Sequence, residues 1–571
     1  MARTWLRDCE RNHLNCLRYA ASELPTRVID VGTDRNSQTL RIIHSRGRVA
    51  RYVTLSHCWG DDVLHVLTTK TLERFQEGLL LHDLPANFRD AIIITRELGI
   101  RYLWIDSLCI LQDSKRDWEN ESKKMGQFYS NSTLTISALI SESARGILRR
   151  EAKPLRPKTA QLHVYSNSKE SRQVTIEMMG DDETLRSLDR DSPLNSRGWV
   201  LQESLLSPRQ LFYGDRQIYW KCPRGYESGD GLPAKGRTPD RRYRVISSQV
   251  LYRDRLKKPP KDPVKTEELL HEYYDIVKTY SSRNLTYDSD KLPAFAGLAQ
   301  RIHTMLPGQY LAGLWSYDFH RGLCWYLTTP KTRLPAYRAP SWSWASTNEQ
   351  VMYFWLRKFK SDRYQLQLLE YDVSLRDESN PYGETKAGRA VVQGYTRPLV
   401  AYKQVYGRHN THVVHGSAVF DELGGSWNEK AFSGTAENDN GLLWFDDGLE
   451  PDAYVSREYL VLLIGRYYTP LLEESEDDED EDEDSEEDGY DRMDEESEEV
   501  KEVTYDKKYQ EDSEDEETNG SGEDSHFHGL ILSKVANRKG DEYERVGYAT
   551  FNTSISLAWV QKWDSKILKL V

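Results

Sequence analysis

The chain has 571 residues, 38% apolar and 11% aromatic, which is enough material for more than one core, and a formal charge of −14. No apolar run approaches the ~18 residues a membrane span needs, and the charged N-terminus lacks a secretory h-region, so a cytoplasmic protein with reduced thiols is expected. The charge is concentrated: residues 473–524 hold 30 Asp and Glu against four Lys and Arg, which leaves the rest of the chain at +12.

Taken in order, residues 1–24 predict an amphipathic helix with Trp5, Leu6, Cys9, His13, Cys16, Leu17 and Ala20 near one face. Residues 27–31 and 39–43 predict a strand pair around a turn, and 51–56 a third strand. Pro85 opens a helical pattern that Gly99 ends, and Tyr102 to Asp106 reads as a buried strand. Asp113 or Ser114 caps a helix running to about Tyr129, and 133–139 closes the unit as another strand. Strands alternating with helices over short links predict an α/β unit with a parallel sheet.

Residues 161–165 and 173–178 are strand-like, and 210–213 with 217–221 predict a hairpin. Pro, Gly, Lys and Arg dominate 223–263, which reads as a linker or long loop. Helices are expected near 265–280 and 292–306. Strands then dominate, at 364–375, 389–394, 441–445, 459–467, 529–533 and 546–551. Because strands resume after it, the acidic tract is predicted to be a disordered insertion in a hairpin of a β-rich C-terminal domain.

Six cysteines, Cys9, Cys16, Cys58, Cys109, Cys222 and Cys324, form no CxxC pair and have no matching His spacing. Neither a zinc module nor a disulfide framework is expected, and no metal ligands are assigned. Ligands of parallel sheets bind beyond the carboxyl ends of the strands. Ser56, His57, Cys58 and Trp59 fall at that edge, as do Asp106 and Cys109.

There, Cys58 or Cys109 could act as a nucleophile with His57 as base, or both thiols could be small buried hydrophobes. Asp106, near Gln112 and Asp113, can ligate Mg²⁺ or orient a hydroxyl; it can equally cap the following turn. Trp118 and Glu121 share a helix face, where the carboxylate could stabilise an oxocarbenium or simply suit a helix N-terminus. Arg197 suits a phosphate clamp or an ion pair with Glu203. The acidic tract could bind basic partners or be a solvated loop.

These residues fall in three blocks: YVTLSHCWG (52–60), the long stretch from Leu84 to Ala138, and RGWVLQE (197–203). Their order and spacing resemble the fungal heterokaryon-incompatibility (HET) domain. Later segments, YSSRNLTYDSDKLPAFAGLA (280–299), YLAGLW (310–315) and APSWSWAS (339–346), resemble the remainder of large HET-domain proteins.

The resemblance implies a flavodoxin/TIR-like HET domain over 25–222 after the N-terminal helix. The 223–263 linker, a helical segment over 264–350 and a β-rich domain over 351–571 would follow. It implies a role in non-self recognition and programmed cell death. HET domains are distantly similar to TIR domains, whose enzymatic members cleave NAD⁺ at the nicotinamide–ribose bond. By that similarity Glu121 is the catalytic carboxylate, with Ser56 and His57 lining the nicotinamide–ribose pocket. NAD⁺ is then a substrate rather than a resident cofactor. The alternative is a non-enzymatic scaffold whose HET domain and acidic insertion dock partners. Protein partners and self-association are expected; nucleic acid is not.

Overall fold

The computed structural model describes residues 1–13, 16, 21–59, 65–139, 146–148, 158–165, 171–178, 185, 188, 192–214, 217–229, 263–327, 334, 336–353, 358–360, 365–399, 401–406, 414–419, 442–445, 459–468, 525–535, 541–552 and 563–571. The acidic tract, and most of the 223–263 segment, lie outside them.

The N-terminal half is built on a nine-stranded sheet. Its strands are β1 (Arg27–Asp30), β2 (Thr39–His44), β3 (Tyr52–Ser56), β4 (Leu79–Leu80), β5 (Tyr102–Trp104), β6 (Leu134–Ala138), β7 (Gln210–Tyr213), β8 (Ile218–Cys222) and β9 (Gly225–Ser228). The spatial order is β9-β8-β7-β6-β3-β5-β1-β2-β4. Only the central pairs β7–β6, β6–β3 and β3–β5 are parallel. The expected parallel sheet is therefore corrected to a mixed one, because β1 and β8 pair antiparallel with the edges of the parallel core. Every residue of β3, β5 and β6 is buried, as strands covered on both faces must be. Thr54 and Thr135 satisfy each other across β3 and β6, hydroxyl to hydroxyl at 2.6 Å.

Eight helices matter for the site: α1 (Ala2–Asn12), α2 (Ala86–Glu97), α3 (Asp106–Cys109), α4 (Lys115–Ser122), α5 (Met125–Ser130), α6 (Gly198–Leu206), α7 (Pro263–Ser281) and α8 (Pro293–His303). The predicted N-terminal helix is shorter than 1–24 and stops at Asn12. Gly99, at φ +75°, ends α2, and its neighbours close the turn with Gly99 N–H to Arg96 O and Ile100 N–H to Thr95 O. Ser114 caps α4 by accepting the Asp117 amide. The expected single helix to Tyr129 is divided at Lys123–Lys124, where α4 ends and α5 starts. β9 occupies the start of the segment read as a linker.

Lys158–Tyr165 and Ser171–Met178 form an antiparallel hairpin. Beyond α8 a ten-stranded sheet takes over. In it Tyr459–Tyr468 pairs antiparallel with Ser525–Lys534, Tyr468 opposite Ser525. In sequence the acidic tract falls between these two antiparallel partners. One continuous apolar cluster runs from Leu6 to Leu570. No helix among the described residues is long and apolar enough to cross a membrane.

Candidate functional site

The four parallel strands lie in the order β7-β6-β3-β5, so the chain leaves β3 to one side and returns to β6 on the other. That reversal places a topological switch point at the carboxyl ends of β3 and β6, the standard ligand position in such sheets. Register puts Ser56 opposite Ser137 there.

Ser56 closes β3, and His57, Cys58 and Trp59 follow it. His57 is buried and meets the Phe88 ring edge-on at 5.0 Å. Its Nδ1 lies 4.0 Å from Asp106 Oδ1. Loss of hydration depresses the His57 pKa to about 4, against the attraction of Asp106 and with the repulsion of Arg197, so the ring is neutral.

Asp106 opens α3. Its Oδ1 accepts the Ser107 amide at 2.7 Å and its Oδ2 accepts Trp59 Nε1–H at 2.8 Å. It therefore holds the next amide of its own turn and anchors Trp59. Asp113 faces elsewhere, accepting from Thr69 N–H and Oγ–H. Gln112 folds back onto the Ile110 carbonyl at 3.0 Å.

Arg197 precedes α6 and donates from Nη1 to the His57 carbonyl at 2.6 Å. Among the ion pairs of the described residues none joins Arg197 to Glu203. Glu203, six residues on in α6, is buried, and desolvation raises its carboxyl to about 7. The Ser56 and Tyr129 hydroxyls and the Arg197 cation pull it down, and Asp106 pushes it up. Tyr129 itself is held protonated by burial.

The thiols are not activated. Burial pushes Cys109 up to about 12 and also raises Cys58, whereas a nucleophilic cysteine needs a depressed pKa. Glu121 is buried on α4, accepting from Thr26 Oγ1 at 2.9 Å and from Lys124 Nζ at 3.3 Å, with Oε2 lacking a hydrogen-bond partner. It shares no hydrogen bond or ion pair with Ser56, His57, Asp106 or Arg197. Trp118 packs edge-on against Trp199 at 6.2 Å rather than in the strand-edge cluster.

The fold brings Ser56, His57, Trp59, Asp106 and Arg197 to one strand edge, together with two residues the spacing did not single out for chemistry, Tyr129 and Glu203. Chemically, it offers a carboxyl poised near neutrality, a neutral imidazole and a cation at one strand edge. Residues 52–203 match the family model described as Heterokaryon incompatibility protein (HET). No curated protein and no solved structure gives a significant match.

Proposed function

We propose that this chain, whose residues 52–203 match the heterokaryon-incompatibility family model, acts in fungal non-self recognition as a cell-death effector that hydrolyses NAD⁺. The observation carrying the enzymatic part is Glu203, a buried carboxyl with its pKa raised to about 7 at the switch point of the parallel strands. The strand order supports the TIR-like reading, because the first parallel strand lies between the second and third, as in flavodoxin-like sheets. Ionised Glu203 faces the positive charge that develops at the ribose C1′ as the C–N bond to nicotinamide breaks. Water then adds at C1′ and its proton leaves to solvent, giving nicotinamide and ADP-ribose. Arg197 supplies the cation for the diphosphate, and Ser56 and neutral His57 border the ribose.

Purified full-length chain, incubated with NAD⁺ under crowding, should release nicotinamide. Glu203→Gln should lower that rate by about 100-fold or more. Loss of release in Glu121→Ala but not in Glu203→Gln would move the catalytic carboxylate to α4. No release under any oligomerising condition would overturn the enzymatic reading.

The second reading, a non-enzymatic docking module, is favoured by the burial of His57, Glu121 and Glu203, at 4%, 2% and 6% exposure. Under the first reading self-association opens the strand edge. Under the second the cluster only fixes the shape of a surface that partners recognise.

A further inference from the structure

Far from the strand-edge cluster, the fold assembles a group that the sequence spacing concealed. Cys9 lies near the end of α1, His13 and Cys16 follow it, and Cys222 ends β8. Packing of α1 on β8, seen in the Trp5–Trp220 ring contact at 6.3 Å, brings the four side chains together. The three Sγ atoms and a ring nitrogen of His13 all lie within 4.8 Å of one another, and all four residues are buried.

His13 Nδ1 stands 3.6 Å from Cys16 Sγ and 3.5 Å from Cys222 Sγ. One imidazole nitrogen has a single in-plane lone pair or proton, so hydrogen bonding satisfies one of these sulfurs and not both. A cation at the centre satisfies all four. A tetrahedron with Zn–S near ~2.3 Å and Zn–N near ~2.0–2.1 Å has S···N edges of about 3.6 Å, the spacing found here.

The surroundings suit such an ion. His13 Nε2 lies 3.1 Å from Asp8 Oδ2 without hydrogen-bond geometry, within reach of the carboxylate–imidazole pairing that orients metal-bound histidines and leaves Nδ1 for the metal. Arg209, buried, donates from Nε to Cys9 Sγ at 3.1 Å. Three thiolates around a divalent ion leave one negative charge, and Arg209 cancels it where an uncompensated charge would be costly. Asp8 and Glu227 also approach His13. They are half-exposed hard oxygens, whereas three buried sulfurs select a softer ion.

We propose that Cys9, His13, Cys16 and Cys222 form a closed Cys₃His zinc site that staples the N-terminal helix to β8. With four protein ligands and no open position, its role is structural. On this proposal the expectation of no metal ligands no longer holds. It rested on spacing along the chain, and the fourth ligand is supplied by tertiary packing.

Full-length chain purified without chelator should contain about one zinc per chain by elemental mass spectrometry. Exchange with Co²⁺ should give the intense visible bands of tetrahedral cobalt with thiolate charge transfer. The double variant Cys16→Ser/Cys222→Ser should fall below about 0.1 zinc per chain, while Cys324→Ser keeps its zinc. Should the double variant fail to fold, the zinc content and cobalt spectrum of the wild type decide the matter alone. A metal-free wild type with no thiolate–cobalt spectrum overturns the proposal. So does a disulfide between any two of these cysteines in the purified chain, or zinc retained by the folded double variant.

Discussion

Glu203 and His57 contribute opposite pH dependences to the stability of the strand-edge cluster. Glu203 has its folded pKa raised from 4.5 to about 7, so the folded chain binds the proton more tightly than the unfolded chain. Its stability contribution is full below about 4.5 and is lost as pH climbs through 7, an effect on the order of 3 kcal/mol. Glu203→Gln should therefore gain relative to wild type between pH 5 and pH 8, read as the shift in urea midpoint. His57 runs the other way. Its folded pKa is depressed from 6.5 to about 4, so the unfolded chain takes up the proton first and stability falls as pH drops from 6.5 towards 4. His57→Gln should remove that acid-side loss, on the order of 3 kcal/mol, in the same titration. A His57→Gln profile parallel to wild type from pH 4 to 6.5 would mean that the ring is charged in the folded chain.

At the scale of elements, the strand-edge cluster is held by the meeting of α5, α6 and α8. Gly126 on α5 faces Gly297 on α8 so closely that a Cβ on either would lie 2.8 Å from the other's Cα. Gln202, the α6 neighbour of Glu203, accepts the Gly297 amide at 3.2 Å. Gly297→Ala must separate the helices and break that bond, which should cost about 1–3 kcal/mol as overpacking and lower the thermal midpoint. An unchanged midpoint would show that α8 does not brace α6.

Such contacts mark the limit of what was legible in the chain itself. Alternating strand and helix patterns, Gly99 as a helix stop and Ser114 as a cap are local signals, and they stand. Ser56, His57 and Asp106 were legible because strand ends are local too. The antiparallel pairing of β1 with β5 was not, since nothing near Arg27–Asp30 records which strand it meets. Glu203 owes its raised pKa to burial, against the pull of the Ser56 and Tyr129 hydroxyls, and Cys222 owes its neighbours to the docking of α1. Both depend on residues remote in sequence.

For the whole molecule, charge sets the acidic tract apart from the two described strands that flank it in sequence. The tract joins Tyr459–Tyr468 to Ser525–Lys534, whose near ends, Tyr468 and Ser525, are direct partners in the ladder. A hairpin needs only two to five residues at such a position. Val461, Leu462, Leu463, Phe527, Leu530 and Ile531 are fully buried, so the pairing is secured by the core rather than by its connection. Arg545 on the next strand donates from Nη1 to the Leu323 carbonyl at 2.7 Å and lies over the Trp325 ring, tying this sheet to the segment after α8. Deleting residues 473–524 should accordingly leave the circular dichroism spectrum unchanged and the thermal midpoint no lower. The same deletion carries the formal charge from −14 to +12, so the variant should bind a cation exchanger that the full chain passes through. A collapsed midpoint would place the tract among the elements that hold the sheet together. Loss of toxicity on expression with the midpoint intact would make it a binding arm of the effector.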